Sequence, residues 1–506
     1  MTTQEELATG PRAGRKEWIA LAVLALPLLL VSMDVSVLYF AVPFISQDLG
    51  ATATEQLWIF DIYGFVLAGL LITMGSLGDR IGRRRLLIIG AVAFGAASFA
   101  AAYAQTPEQL IAARALLGIG GATLMPSTLA LIRNMFHDQA QRQQAIAVWS
   151  AVLLSGVSLG PVFSGLLLEH FWWGSVFLIN IPAMVLLLVV APILLPEFKS
   201  AVAGRFDLLG SVLSLASVLP VIYGIKEIAA DGLSLAAAGS ILLGLLIGAA
   251  FIRRQQTAAD PMVELAMFRS RVFSGALAAN TVAMVAMVGN AVFLTQYLQL
   301  VLGMSPFRAA MWSLLPSVAV GAAAPLGTAL AQRLDRALVM GLGFFVGASG
   351  FAVISQVGSD SRLAVVLVGA GLLSGGLVMV MTLVTEAVVG SVNPERAGSA
   401  SALMETTSEF GGALGIAVLG SIGTASYRSD LATILPSGLP VDAGREGLPA
   451  ALTAAASLPP ELAAALATAA RASFTHSMNV VALVGAVLLA ITALAVSLGL
   501  RSKTRG

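Results

Sequence analysis

Apolar runs long enough to cross a bilayer dominate this chain. A spanning helix needs ~20 mainly apolar residues, and such runs recur near 18–42, 57–77, 86–105, 109–132, 143–168, 174–195, 207–226 and 233–252. Six more follow near 272–301, 309–331, 338–357, 362–390, 399–424 and 477–500. The pattern predicts an all-α membrane protein with about fourteen transmembrane helices, grouped six, two and six. The expected divisions are a cytoplasmic tail over 1–17, a six-helix bundle over 18–198 and a two-helix insert over 199–256. A second six-helix bundle over 257–500 and a cytoplasmic tail over 501–506 complete the chain. The second bundle includes an outer loop over 425–475, whose later part, with Leu462 and Leu466 at i,i+4, suits a short amphipathic helix.

Between the runs, the placement of positive charge sets an orientation. With the N-terminus inside, 21 of the 28 Arg and Lys residues fall in cytoplasmic segments, 6 fall outside and Arg114 lies within a helix. Lys226 counts among the outer residues, at the end of the 207–226 run. The run beginning at Trp18 is too long for a signal-peptide core of ~7–15 residues, so it is read as a retained first span. Together these place the protein in the cytoplasmic membrane with both termini inside.

Composition removes several function classes. Hydrophobic residues make up 58% of the chain and charged residues 11%, so water is not its main solvent. A net charge of +1 gives no reason to expect nucleic acid. Cysteine is absent, and His137, His170 and His476 are far apart, so no metal site is expected. None of Lys16, Lys199, Lys226 and Lys503 lies in a phosphate-binding G-x-x-x-x-G-K-[ST] frame. With no ATP site and no cofactor expected, energy would come from a gradient.

The informative residues are ionisable groups inside apolar helices, where a charge costs ~2.5–3.5 kcal/mol on insertion scales. Asp34, Asp61, Arg114, Glu386, Glu405 and Glu409 are of this kind. At ~1.5 Å per residue, Asp34, Asp61 and Arg114 all fall in the outer half of the first bundle. An arginine near two carboxylates keeps one ionised while burial favours protonation of the other, which makes the trio a candidate proton switch. The alternatives are a static Asp34–Arg114 pair and an Asp61 that reaches water at the interface. Glu405 and Glu409, at i,i+4, share a helix face and suit a site holding a proton or an organic cation; the alternative is a solvated pair in a wet cavity. Glu386 reads as an interfacial carboxylate. Trp58 and Tyr63 flank Asp61 and offer aromatic faces to a cation, although interfacial belts use the same residues.

Gly156, Ser158 and Gly160 match the G-x-S-x-G nucleophile pattern, but that motif needs a strand–turn–helix context, and this one lies in a continuous apolar run. Gly156, Gly160 and Gly165 instead read as small residues that let helices approach closely, with Pro161 kinking the helix. A faint internal repeat supports two halves: GSLGDRIGRRR (75–85) and GTALAQRLDR (327–336) occupy equivalent turns once the middle pair is removed.

Several of these segments together resemble the major facilitator superfamily. GSLGDRIGRRR is similar to that family's loop between helices two and three, matching at Gly75, Leu77, Asp79, Arg80, Gly82, Arg83 and Arg84. LIAARALLGIGGA resembles its fourth-helix pattern, with Leu117 where glutamine is common. GVSLGPVFSG resembles the antiporter signature of the fifth helix, with Ser164 in place of a glycine, and MDVSVLYFAVP the first-helix pattern, with Ser36 and Tyr39 as departures. RFDLLGSVL resembles the start of the extra helix pair of the fourteen-helix branch, and METTSEFGGALGIA that branch's quaternary-ammonium and multidrug exporters. The resemblance implies two bundles rocking around a central cavity, with Asp34, Arg114 and Asp61 coupling protons. Asp61, Glu405, Glu409, Trp58 and Tyr63 would meet substrate. Gly75, Asp79, Arg80, Gly82, Arg83 and Arg84 would latch the cytoplasmic ends of the bundles.

The expected activity is therefore proton-coupled efflux of lipophilic, cationic, drug-like compounds by a secondary transporter acting as a monomer. Its partners would be small molecules, protons and membrane lipids. The rivals on the same fold are a proton-coupled exporter or importer of one metabolite or antibiotic, and a lipid flippase. A membrane enzyme would need a cluster of His, Cys or metal ligands at an interface, which the sequence does not offer.

Overall fold

The computed structural model describes residues 12–199, 207–258, 261, 265–358, 363–392, 397–435 and 444–500; a few side chains within its helices, Glu405 among them, lie outside the described set. Every described regular element is a helix. That suits a chain in hydrocarbon, where each backbone N–H and C=O must be satisfied within its own segment.

The first half contains α1 (Arg15–Leu49), α2 (Ala53–Ile81), α3 (Arg83–Ala102), α4 (Pro107–Met135), α5 (Gln139–His170), the short α6 (Ser175–Leu178) and α7 (Asn180–Leu194). The insert is α8 (Leu208–Asp231) and α9 (Leu235–Thr257). The second half contains α10 (Arg271–Gln296), α11 (Pro306–Ser313), α12 (Leu315–Ala331), α13 (Arg336–Ile354), α14 (Leu363–Gly390), α15 (Ala397–Ile434), α16 (Leu448–Ala455) and α17 (Pro460–Gly499). Thirteen stretches among the described residues are long and apolar enough to cross a membrane, and the bent α5 makes a fourteenth. This is a multi-pass membrane protein. The near face is defined here as the one from which α1 starts, and the far face as the one carrying the α1–α2 turn.

Short polar turns set the helix starts. Thr52, Thr106, Asp138, Asp207, Ser234, Ser270 and Ser305 each accept a backbone N–H of the first turn that follows them. At the near-face end of α8, the Arg254 guanidinium also hydrogen-bonds Asp207 at 2.7 Å and holds that carboxyl below its ordinary range.

Helix pairing repeats between the halves. In the first, α1 packs on α5, α2 and α3 on α4, and α3 on α7; in the second, α10 packs on α15, α12 and α13 on α14, and α13 on α17. Each half has its own apolar core. The halves meet through α2 against α15 and α5 against α11. The insert lies over the first of these seams: α8 packs on both α2 and α15, and Phe65, Ile222, Ala413 and Ala417 form a third core there. Outside it, α9 turns Leu242, Leu243, Leu245 and Leu246 outward.

The segment expected as an outer loop, 425–475, is largely helical. Residues through Ile434 continue α15, α16 lies within the segment, and α17 begins at Pro460. The long α15 packs against α17, and α16 packs against α17 and α1, burying Leu448 and Ala451.

Candidate functional site

Two buried charge assemblies lie side by side in the far half of the first bundle. In the first, the Arg114 guanidinium of α4 is ion-paired with Asp34 of α1 through Nη1, and its Nε donates to the Ile59 carbonyl of α2 at 3.0 Å. It also stacks over the Tyr63 ring, 4.6 Å from the centroid, and the Tyr63 hydroxyl donates to the Val31 carbonyl at 3.3 Å. One guanidinium thus ties α1, α2 and α4 together with a planar set of donors that only arginine supplies.

The second assembly departs from the sequence expectation. Asp61 does not share Arg114. Its Oδ2 lies 2.6 Å from Nζ of Lys226, which comes from α8 of the insert. Nζ also sits over the Trp58 ring, 4.1 Å from its centroid. Lys226 is therefore not an outer-segment residue: it is 2% exposed, inside a helix that continues to Asp231. The apolar run ends at Lys226, but the helix continues, because the ammonium finds a carboxylate and an indole face within the packed seam. Asp61 likewise does not reach water at an interface, being 1% exposed. Trp58 and Tyr63, expected to present open faces to a ligand, each already carry an internal cation.

A matched row of residues places Lys226. On α8, Ser211, Leu215, Ile222 and Lys226 are spaced four, seven and four residues apart and share one face. Ser211 shares a hydrogen bond with Thr73, and Leu215 fills the space over Gly69. Ile222 joins Phe65 in the seam core, and Lys226 meets Asp61. The two helices are thus zipped antiparallel.

Glu409 of α15 approaches from the other half. Its Oε2 and backbone oxygen each lie 3.9 Å from where a Cβ on Gly64 of α2 would stand. It is within electrostatic reach of Tyr39 and Tyr63, and Tyr39 is also within reach of Asp61 and Arg114. Glu405 lies on the same helix, but its side chain is outside the described residues. Gly411 and Gly415 face α10 instead, packed against the Thr281 and Val285 carbonyls. Glu386 lies 3.6 Å from Arg336 in a partly exposed pair.

The near-face motif folds back on its own half. Arg83 pairs with Asp79 at 2.6 Å, one turn earlier on α2. The Arg84 backbone N–H donates to Glu197 at 3.1 Å, and its guanidinium donates to the Leu195 carbonyl at 3.0 Å. Gly82 adopts a φ of 113°, a conformation that L side chains rarely take, and the Glu197 carboxylate stands where its Cβ would be. Gly75 faces Pro126, and Arg80 is exposed. Glu197 lies in the polar linker PEFKS, where no helical face or spacing marks it.

On α5, Gly156 and Gly160 lie against Ser32 and Ser36 of α1, and Gly165 lies against the Pro306–Phe307 backbone of α11. Ser164, the departure from the antiporter signature, is fully buried and donates to the Val37 carbonyl at 2.9 Å. The helix bends by 42° between Val157 and Leu159. Pro161 has no N–H for the Val157 carbonyl, which accounts for the bend.

A small cavity of about 70 Å3, lined by Gln56, Leu57, Phe60, Gln296 and Tyr427 among others, remains near the far face. It has room for a few waters and not for a drug-sized ligand, which needs ~300 Å3 or more.

A bundle of paired six-helix halves with ionisable groups buried along their seam is the frame of a secondary transporter. The sequence profile of the Major Facilitator Superfamily matches residues 24–416, and the chain belongs to that superfamily. It is 42% identical over 496 residues, 97% of each chain, to the multidrug efflux pump LfrA of Mycolicibacterium smegmatis. It is 34% identical over 469 residues, 92% of this chain and 94% of the relative, to the methyl viologen resistance protein SmvA of Salmonella typhimurium. Among solved structures, a bacterial homologue of the human lysosomal transporter Spinster, in an inward-facing unoccupied conformation, superposes with a TM-score of 0.65. That match is 16% identical and covers 97% of this chain and 100% of the other, so it speaks for the fold. The protein is an efflux-type transporter and not an enzyme.

Proposed function

We propose that the protein is a drug:proton antiporter of the cytoplasmic membrane, with both termini in the cytoplasm, exporting lipophilic cations by alternating access. The observation that carries this reading is the buried Asp34–Arg114 pair, tied through Ile59 and Tyr63 to α2, the helix that forms the seam with α15. A proton arriving at Asp34 cancels the charge that fixes Arg114 and loosens the link between α1, α2 and α4. Its departure restores the link. Because α2 borders the other half, a change in that link bears on how the halves meet. The carboxylates of Asp61 and Glu409 on either side of the seam suit positively charged cargo, and the two relatives named for multidrug efflux and methyl viologen resistance support the same reading.

The test is efflux of ethidium from everted vesicles energised by a proton gradient. Asp34→Asn leaves no titratable group at that point of α1, so uncoupler-sensitive transport should fall at least tenfold at equal protein level. Full pH-dependent efflux in the variant would show that Asp34 does not couple protons.

A further inference from the structure

The two charge assemblies share a plan but differ in how firmly the cation is held. Arg114 is clamped by a carboxylate, a backbone carbonyl and a ring, all within the first half. Lys226 comes from outside the two halves on a flexible four-carbon stem. Its contact with Asp61 is a single ion pair, Nζ to Oδ2 at 2.6 Å, and Asp61 Oδ1 is left buried without a hydrogen-bond partner. A carboxylate beside an indole face is also the chemistry that recognises an alkylammonium or aromatic cation, with ~0.5–2 kcal/mol from the ring. In this structure that place is taken by a primary ammonium belonging to the chain itself.

We propose that Asp61 and Trp58 form an organic-cation site occupied in this state by Lys226 as an internal competitor, so that a cationic ligand binds by displacing the lysine. This deepens the reading of the protein as a cation exporter, and rests on it for the statement that the displaced lysine makes way for cargo. The zipped face of α8 allows such a displacement. Toward the near face α8 is anchored on α2 by the Ser211–Thr73 hydrogen bond and by Leu215 over Gly69, while Lys226 lies toward its far end. Lys226 can leave Asp61 while those anchors hold. Its departure uncovers the α2–α15 seam where Phe65 and Ala413 meet Ile222. Lys226 then acts as a selectivity element: a neutral molecule cannot replace it without leaving Asp61 unpaired, which is costly in a low-dielectric site.

The site can be probed apart from transport. Lys226→Ala removes three carbons and the ammonium, the shape of n-propylammonium. The purified full-length variant should gain several degrees in thermal midpoint with millimolar n-propylammonium, and should not respond to 1-propanol. Wild type, whose tethered ammonium outcompetes the same group free in solution at millimolar concentration, and the double variant Asp61→Asn/Lys226→Ala should respond to neither. A Lys226→Ala protein indifferent to propylammonium, or a response that survives loss of Asp61, overturns the proposal. If Lys226→Ala does not fold, Lys226→Met fills the stem's volume without its charge and should bind ethidium at least tenfold more tightly than wild type. Equal or weaker binding overturns the proposal. Failure of the exporter reading shows separately, as a wild-type protein that moves no cation against a gradient.

Discussion

Arg114 is a buried charge that fulfils three geometric demands at once. Nη1 meets Asp34, Nε meets the Ile59 carbonyl, and the flat face lies over Tyr63. Lysine keeps the charge, but its compact ammonium cannot serve the carboxylate and the carbonyl in one plane while stacking on the ring. Arg114→Lys should therefore reduce the transport rate at least tenfold in the vesicle assay, with the protein still inserted and monodisperse. Wild-type transport in that variant would reduce Arg114 to a generic counter-charge. This pair was legible because an acid and a base stand out in apolar runs. Lys226 was not, because it closes an apolar run and reads as the first residue outside it. Only the spacing Ser211, Leu215, Ile222, Lys226 along one face of α8 hinted that the helix continues and turns the lysine inward. Glu197 carried no signal, since its role depends on the turn at Gly82 folding back onto the end of α7.

Among the elements, α5 shows most directly how sequence becomes mechanics. Its glycines at 156 and 160 and the serine at 164 form an i,i+4 row against α1, and Pro161 places a bend within that row. A methyl group at Gly156 would stand 2.7 Å from the Leu29 carbonyl, a backbone atom that cannot rotate away. Gly156→Ala should therefore destabilise the protein by ~1–3 kcal/mol, as overpacking does, and lower its thermal midpoint in detergent. An unchanged midpoint would mean that α1 and α5 separate freely. Gly156 and Gly160 were visible in the sequence as small residues, whereas Ser164 read as a departure from the pattern and Gly165, read with the other glycines, faces α11 instead. Helix ends were less visible, because hydropathy reports contact with lipid and not helicity. α15 and α17 run past their apolar stretches, where neighbouring helices and α16 cover them.

At the scale of the whole molecule, the halves repeat one order of helix pairing, and the contacts resolved between them lie toward the far face. Leu57 of α2 packs into Gly420 of α15, Gly64 faces Ala413, and Gly165 of α5 meets Phe307 of α11. The near-face ion pairs, Asp79 with Arg83 and Glu197 with Arg84 and Arg85, stay within the first half. If transport works by rocking the halves, the far-face contacts must part in every cycle, and a covalent bond across them must stop it. Gly64 and Ala413 offer the position. A Cβ built on Gly64 stands 3.5 Å from that of Ala413, within the ~3.5–4.5 Å that a disulfide requires. The chain has no cysteine, so the double variant Gly64→Cys/Ala413→Cys introduces its only thiols. Oxidation should form the bond, seen as a mobility shift on a non-reducing gel, and should abolish ethidium efflux. Reduction should restore the rate of the unoxidised double variant, and each single variant should be indifferent to oxidant. Efflux that continues through the cross-linked protein would mean that α2 and α15 do not separate at this level, and the path for cargo would then have to open at the α5–α11 seam alone.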